Sequence, residues 1–267
     1  MMTVKYAITG AILAASMAAA PAAAQDMVRI GTEGAYPPYN YTDSDGNLVG
    51  FEIALGNAMC EEMGVECEWV AQDWDGIIPA LLNERYDMIM AGMSITDERR
   101  ERIAFSQPYV ADPAYFVAAE DSDYMSAETV EDIKAALEGA SVGVQTATIH
   151  QNFIEQHLGD SVDMRLYDTQ ENMELDLTSG RIDAALADGA AWRAFFERED
   201  GGGYGYFGPA LTGQEYPVFG EGVGVGLRQE EEALQTMVDE ALTVLKEDGT
   251  IAELSREYFS GEDITVY

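Results

Sequence analysis

The chain has 267 residues, with 49 acidic residues against 14 basic ones, two histidines and two cysteines, and a net charge of −35. Charge of that sign and size repels nucleic acid and anionic membrane surfaces, so neither is expected as a partner. Two histidines, with no H-E-x-x-H and no histidine–cysteine cluster, give no zinc site, and neither metal nor cofactor is expected.

Residues 1–24 read as an export signal. Lys5 is the only charge before Asp26, the run from Ala7 to Ala20 is apolar and small, and Ala22-Ala23-Ala24 offers an A-x-A cleavage site. The apolar run falls short of the roughly 20 residues of a spanning helix, and no later stretch is long and apolar enough to cross a membrane. A mature periplasmic protein starting near Gln25 is expected. Removing Lys5 leaves 13 basic residues against 49 acidic ones, a net charge of −36. The acids are scattered along the chain, a pattern that suits a solvated face in saline surroundings, where salt screens self-repulsion.

From Val28 onward, strand and helix signals alternate, which predicts an α/β fold with parallel sheets. A strand over 28–32 precedes a helix over 51–63, whose apolar residues Phe51, Ala54, Leu55, Ala58 and Met59 share one face, with Gly64 as its stop. Then come a strand (67–71), a helix (75–84), a strand (87–91) and a polar segment to Tyr109. A strand over 115–119 carries the chain into a second unit. That unit reads as helix 127–138, strand 141–145, helix 148–157, a strand near 164–167, helix 169–179 and strand 182–187. Gly201 to Gly205 reads as a loop, and Val218–Leu227 as a return crossing. Helices over 230–247 and 249–258 are expected to pack back on the first unit. Cys60, near the end of the first helix, and Cys67, opening the next strand, read as a structural disulfide in an oxidising compartment.

Catalytic signatures are missing: there is no G-x-S-x-G and no G-x-x-x-x-G-K-[ST]. Binding groups, by contrast, gather at the carboxyl ends of strands, where open α/β sheets hold ligands. Glu33 ends the first strand. Gly92, Ser94 and Arg99 follow the third, and the Arg99 guanidinium has the fork that grips a carboxylate. Thr146 and Thr148 follow the 141–145 strand, where hydroxyls and backbone N–H groups meet a carboxylate or simply cap a helix. Asp188 follows Ala184–Ala187, placed either to meet an ammonium or to cap the next helix. Tyr36 and Trp74 lie in loops after strands, with faces suited to sandwiching an aliphatic or guanidinium side chain, although Trp74 also fits a core with Ile77, Ile78 and Leu81.

Several blocks of this sequence resemble the periplasmic polar amino-acid-binding proteins of ABC importers, in the lysine/arginine/ornithine, histidine and opine receptor branch. They are Ile30-Gly31-Thr32-Glu33-Gly34-Ala35-Tyr36-Pro37-Pro38-Tyr39, Gly50-Phe51-Glu52-Ile53-Ala54-Leu55 and Trp74-Asp75-Gly76-Ile77-Ile78-Pro79-Ala80-Leu81, then Met93-Ser94-Ile95-Thr96-Asp97-Glu98-Arg99 and Gly180-Arg181-Ile182-Asp183-Ala184-Ala185. The resemblance implies that Arg99 holds the ligand α-carboxylate, helped by Ser94 and the backbone at Thr148. It implies that Asp188 and the Gly92 carbonyl hold the α-ammonium, that Tyr36 and Trp74 flank the side chain, and that Glu33 meets a distal cation. Ala91 would line the floor, and Gln170 would fall at a polar pocket position. Ala54 and Ile149 depart from the pattern, standing where an acidic and a hydroxyl residue are usual.

The resulting expectation is a two-lobe periplasmic binding protein fold, each lobe a mainly parallel sheet flanked by helices, joined by two hinge crossings. Lobe one would comprise 26–111 plus 221–267, and lobe two 112–220. The expected protein is a monomer with no catalytic residue, which captures a cationic amino acid or an opine and delivers it to an ABC permease. The alternative is an exported cyclohexadienyl dehydratase, an enzyme that resembles the same family.

Overall fold

A computed structural model describes residues 27–267, so the export-signal reading of 1–24 lies outside the described residues. Two five-stranded sheets organise the chain. In the first, Met27–Thr32 is flanked by Glu66–Ala71 and Met88–Ile89, both parallel to it, and Gly226–Leu227 runs antiparallel between Met88–Ile89 and Ala104–Phe105. In the second, Ser141–Gln145 lies between Asp163–Tyr167 and Ala184–Asp188, both parallel to it. Ala114–Ala119 then runs antiparallel between Ala184–Asp188 and Tyr204–Leu211. Four strands of five therefore point the same way in each sheet.

The one reversed strand in each sheet follows a crossing from the other lobe. A chain that arrives directly from the neighbouring lobe enters at the cleft edge, where the other strands end, and so must run against them. The crossings themselves are tied together: Val223 bridges both Val110 and Ser94, and Val110 bridges Thr265.

Each sheet is covered on both faces by apolar residues. In the first lobe, Phe51, Leu55 and Met59 of the Phe51–Met63 helix pack with Val28 and Ile30, and the closing helices Glu232–Glu247 and Thr250–Tyr258 add Leu242, Leu245 and Ile251. Ile77, Leu81, Tyr86 and Ile89 form the other face. Gly64 ends the first helix in the left-handed region (φ 70°), which costs glycine no Cβ clash. It turns the chain so that Cys60 and Cys67, with Cα atoms 6.1 Å apart, are joined in a disulfide. The outermost strand, Glu66–Ala71, points Glu66 and Glu68 to solvent, and such charges discourage pairing with a foreign edge.

Three stretches hold more regular structure than the sequence outline gave them. The polar segment before Tyr109 contains a capped helix, Asp97–Arg100, and the short strand Ala104–Phe105. Residues between the first strand and first helix form a three-stranded antiparallel sheet of Ala35–Tyr36, Asn40–Thr42 and Leu48–Val49. The supposed loop at Gly201 to Gly205 runs into a full strand, Tyr204–Leu211. That strand holds Gly208 at φ 74° and Pro209, both poor in an ordinary strand, and its pairing shifts register between Phe207 and Leu211. It tolerates them because it lies at the sheet edge, where a bulge and a missing N–H do least harm.

The surface acids give the first expected result. Salt shortens the screening distance from ~10 Å at 0.1 M to ~3 Å at 1 M and relieves repulsion most in the compact state. A melting temperature that rises with sodium chloride over that range is expected. A flat or falling curve would refute the saline reading.

Candidate functional site

The strand ends of both lobes converge on one cavity. Ten of the eleven residues selected from the sequence line it: Glu33, Tyr36, Trp74, Ala91, Gly92, Ser94 and Arg99 from the first lobe, Thr148, Gln170 and Asp188 from the second. Thr146 does not line it; its N–H is spent on the Tyr167 carbonyl at 2.9 Å.

Arg99 is placed by a very short helix. Thr96 caps it, its Oγ1 accepting from the Arg99 N–H at 3.2 Å, so the side chain leaves the first turn toward the cavity. The guanidinium donates to the Ser94 carbonyl at 2.9 Å and lies 5.2 Å from the centre of the Trp74 ring. Burial lowers its pKa to about 10, against the fields of Glu98 and Asp188. In so acidic a chain, no carboxylate among the described residues comes within ion-pairing distance of it.

Gly92 sits at φ 61°, a region that penalises any side chain. Its N–H donates to both oxygens of the buried Glu52, at 2.8 and 2.9 Å. Glu52 also accepts from Asn40 Nδ2 at 2.7 Å and from the Tyr109 hydroxyl. One buried carboxylate thus fixes the peptide plane of Gly92 and ties it to the start of a crossing. The sequence reading quoted Glu52 only as part of a motif.

Asp188 stands at the N-cap position of the Gly189–Phe196 helix, yet its side chain makes no capping bond. Its Oδ2 accepts from the Tyr36 hydroxyl across the cleft at 2.7 Å, and its Oδ1 lies 3.3 Å from His150 Nε2. Its side chain therefore does not cap the next helix but faces the cleft. Tyr36 is buried and stacks on Tyr39, with ring centres 5.6 Å apart. Trp74 packs in the core with Ile77 and Leu81, lines the cavity, and donates its Nε1–H to the Ala147 carbonyl of the other lobe at 3.2 Å.

Glu33 reaches the far lobe as well. Its Oε1 accepts from Gln145 Nε2 at 2.6 Å, and the same amide nitrogen donates to the Asp168 carbonyl at 3.0 Å. Burial is the main reason its pKa rises to about 7; the Gln145 bond opposes it, and Asp73 and Glu52 add to it. Thr148 caps the Ile149–Phe153 helix by accepting from Gln151 N–H at 3.2 Å, while its hydroxyl donates to the Gln145 carbonyl at 2.7 Å. Gln170, almost fully buried, donates to Glu174 at 2.9 Å.

The sequence reading did not select Gln145 or His150 as site residues, nor Ile149, Leu186 and Ala187, all of which line the cavity. Gln145 was findable: it is the polar residue ending a strand, the rule that selected Glu33. His150 offered no such signal, because its partner lies 38 positions away. Among the described residues, no cluster of three or more His, Cys, Asp or Glu is arranged to hold a metal ion. The arrangement can grip a carboxylate at Arg99 and cationic groups at Asp188 and Glu33, which all line the one cavity.

The profile of the bacterial extracellular solute-binding proteins, family 3, matches residues 28–261. The L-arginine-binding protein of Pseudomonas aeruginosa is 37% identical over 258 residues, covering 96% of each chain. The octopine-binding periplasmic protein of Rhizobium meliloti is 38% identical, over 90% of this chain and 93% of its own. A His/Glu/Gln/Arg/opine family-binding protein from Silicibacter pomeroyi, crystallised with lysine, superposes with a TM-score of 0.77 at 39% identity. That alignment covers 90% of this chain and all of the other.

Proposed function

Because the chain belongs to family 3 of the bacterial extracellular solute-binding proteins, we propose that its cleft captures a cationic amino acid of the arginine, ornithine or lysine type, or an opine, for delivery to an ABC permease. In this reading Arg99, Ser94 and the Thr148 backbone take the α-carboxylate, Asp188 and the Gly92 carbonyl take the α-ammonium, Tyr36 and Trp74 flank the side chain, Ala91 forms the floor and Gln170 supports the polar wall. The observation that carries it is the pairing of an acid-free guanidinium, Arg99, with a half-buried carboxylate, Glu33, in one cavity. The relatives named for arginine and octopine, and the neighbour crystallised with lysine, point the same way. We assign lobe one to 26–111 plus 221–267 and lobe two to 112–220, with closure about the two crossings. The protein would be exported to the periplasm after cleavage near Gln25 and act as a monomer.

Calorimetry against arginine, ornithine, lysine, an opine and glutamine tests the ligand class. Glu33→Gln is expected to weaken cationic ligands by about tenfold or more while sparing glutamine. Equal weakening of both classes would make Glu33 structural. The pH sign follows from the raised pKa. A cation favours ionised Glu33, so affinity rises with pH through about 7 and binding there releases protons, while the ligand-free closed form loses stability over the same rise. The enzyme alternative, a dehydratase, predicts turnover of prephenate or arogenate. None is expected.

A further inference from the structure

His150 is buried, lines the ligand cavity and has no role in the reading above. It sits in the Ile149–Phe153 helix with the Phe219 ring on one side, ring centres 6.1 Å apart. Its Nε2 lies 3.3 Å from Asp188 Oδ1 but is not directed into a hydrogen bond with it, and has no other partner. Tyr36 occupies the opposite carboxylate oxygen, Oδ2. A buried ring nitrogen left unpaired beside a carboxylate oxygen is costly unless a third group joins both.

We propose that His150 Nε2 and Asp188 Oδ1 together form one seat for the ligand's α-ammonium, the neutral imidazole accepting a hydrogen bond beside the carboxylate, and that protonating His150 shuts this seat. The proposal rests on the amino-acid reading of the cleft and deepens it. Imidazole is the side chain that changes charge between pH 5 and 8. Protonated, it can no longer accept, it pairs with Asp188 itself, and it repels the incoming cation. Capture in acid then requires the imidazolium to release its proton to solvent.

The other charged and titratable groups facing this point are few. Tyr36 donates to Asp188, the buried Tyr39 behind it lies within the field of Asp188, and the fields of Arg99 and Asp112 reach Asp188 from the first lobe and the crossing. Glu33 lines the same cavity and also weakens cationic ligands in acid. Its contribution must be cancelled, and a ligand that differs from arginine only at the α-amine does so.

The test is calorimetric titration of the full chain with L-arginine and with 5-guanidinopentanoate, which is arginine without its α-amine, at about pH 8 and about pH 5.5. Both ligands meet Glu33 alike. Arginine is expected to lose about tenfold more affinity than the analogue over that interval. In His150→Phe, with His150→Gln as a second variant, the extra loss should vanish and the two slopes should coincide. Equal slopes in the unaltered protein, or a difference that survives in a folded variant, would overturn the proposal. If the analogue binds too weakly to measure, the arginine profile of the variants decides: a slope as steep as that of the unaltered protein counts against the seat. If neither variant folds, the ligand pair on the unaltered protein decides. Failure of both ligands to bind at any pH would instead remove the amino-acid reading and the proposal with it.

Discussion

Arg99→Ala is expected to abolish measurable capture of every amino-acid ligand while leaving the fold intact. A buried carboxylate would lose its bidentate partner, a loss of about 3–5 kcal/mol, or roughly two to three and a half decades in Kd. Stability should barely move. The guanidinium is desolvated, has no acid partner among the described residues and makes one hydrogen bond, to the Ser94 carbonyl at 2.9 Å. Losing that bond and the Trp74 face is offset by no longer burying a charge, so the ligand-free melting temperature should stay within about 3 °C. Calorimetry and thermal melts on one sample check both halves. Near-normal affinity would remove Arg99 from the site, and a collapsed melt would make it structural.

The second large effect is on stability. Glu52→Gln is expected to cost about 2–4 kcal/mol, because the new amide places a donor where Asn40, Gly92 and Tyr109 already donate. Burial pushes the Glu52 carboxyl up and these three donors pull it down. If the carboxyl were protonated near neutrality, the isosteric amide would be almost silent. A urea midpoint unchanged in Glu52→Gln would therefore show that the group is a neutral acid. Because Glu52 holds the Gly92 peptide, affinity should also fall, by about tenfold, even in the fraction that remains folded.

The sequence was most readable where local chemistry and position agree. A polar residue closing an apolar strand is conspicuous, and that rule alone found Glu33 and Asp188. Gly64 announced the end of its helix, and the left-handed turn there follows from its lack of a Cβ. The Tyr204–Leu211 strand was hidden because its edge position excuses the glycine and proline that normally argue against a strand. The Asp188–His150 and Glu33–Gln145 contacts were hidden for a different reason. Each joins segments that only the folded chain brings together, so no spacing along the sequence encodes them. Thr148 shows a third limit. Its hydroxyl type suggested a ligand contact, but the hydroxyl is used within the protein, donating to the Gln145 carbonyl.

The two sheets, described above strand by strand, are the same object twice. Numbering each lobe's strands in its own chain order, with the incoming crossing strand set apart, gives the spatial order second, first, third, crossing, fourth in both. Ile30 pairs with Met88 in one sheet as Val142 pairs with Ala184 in the other. Counting forward from those pairs makes Glu33 the counterpart of Gln145, Ala91 of Ala187, and Gly92 of Asp188, and all six line the cavity. The cleft is therefore an approximate dyad, with equivalent positions facing one another across it. An amino acid has no such dyad. The two halves can grip it only where they differ, and the differences fall at these counterparts: a carboxylate against an amide, and a bare peptide against an aspartate. Selectivity in this architecture is broken internal symmetry.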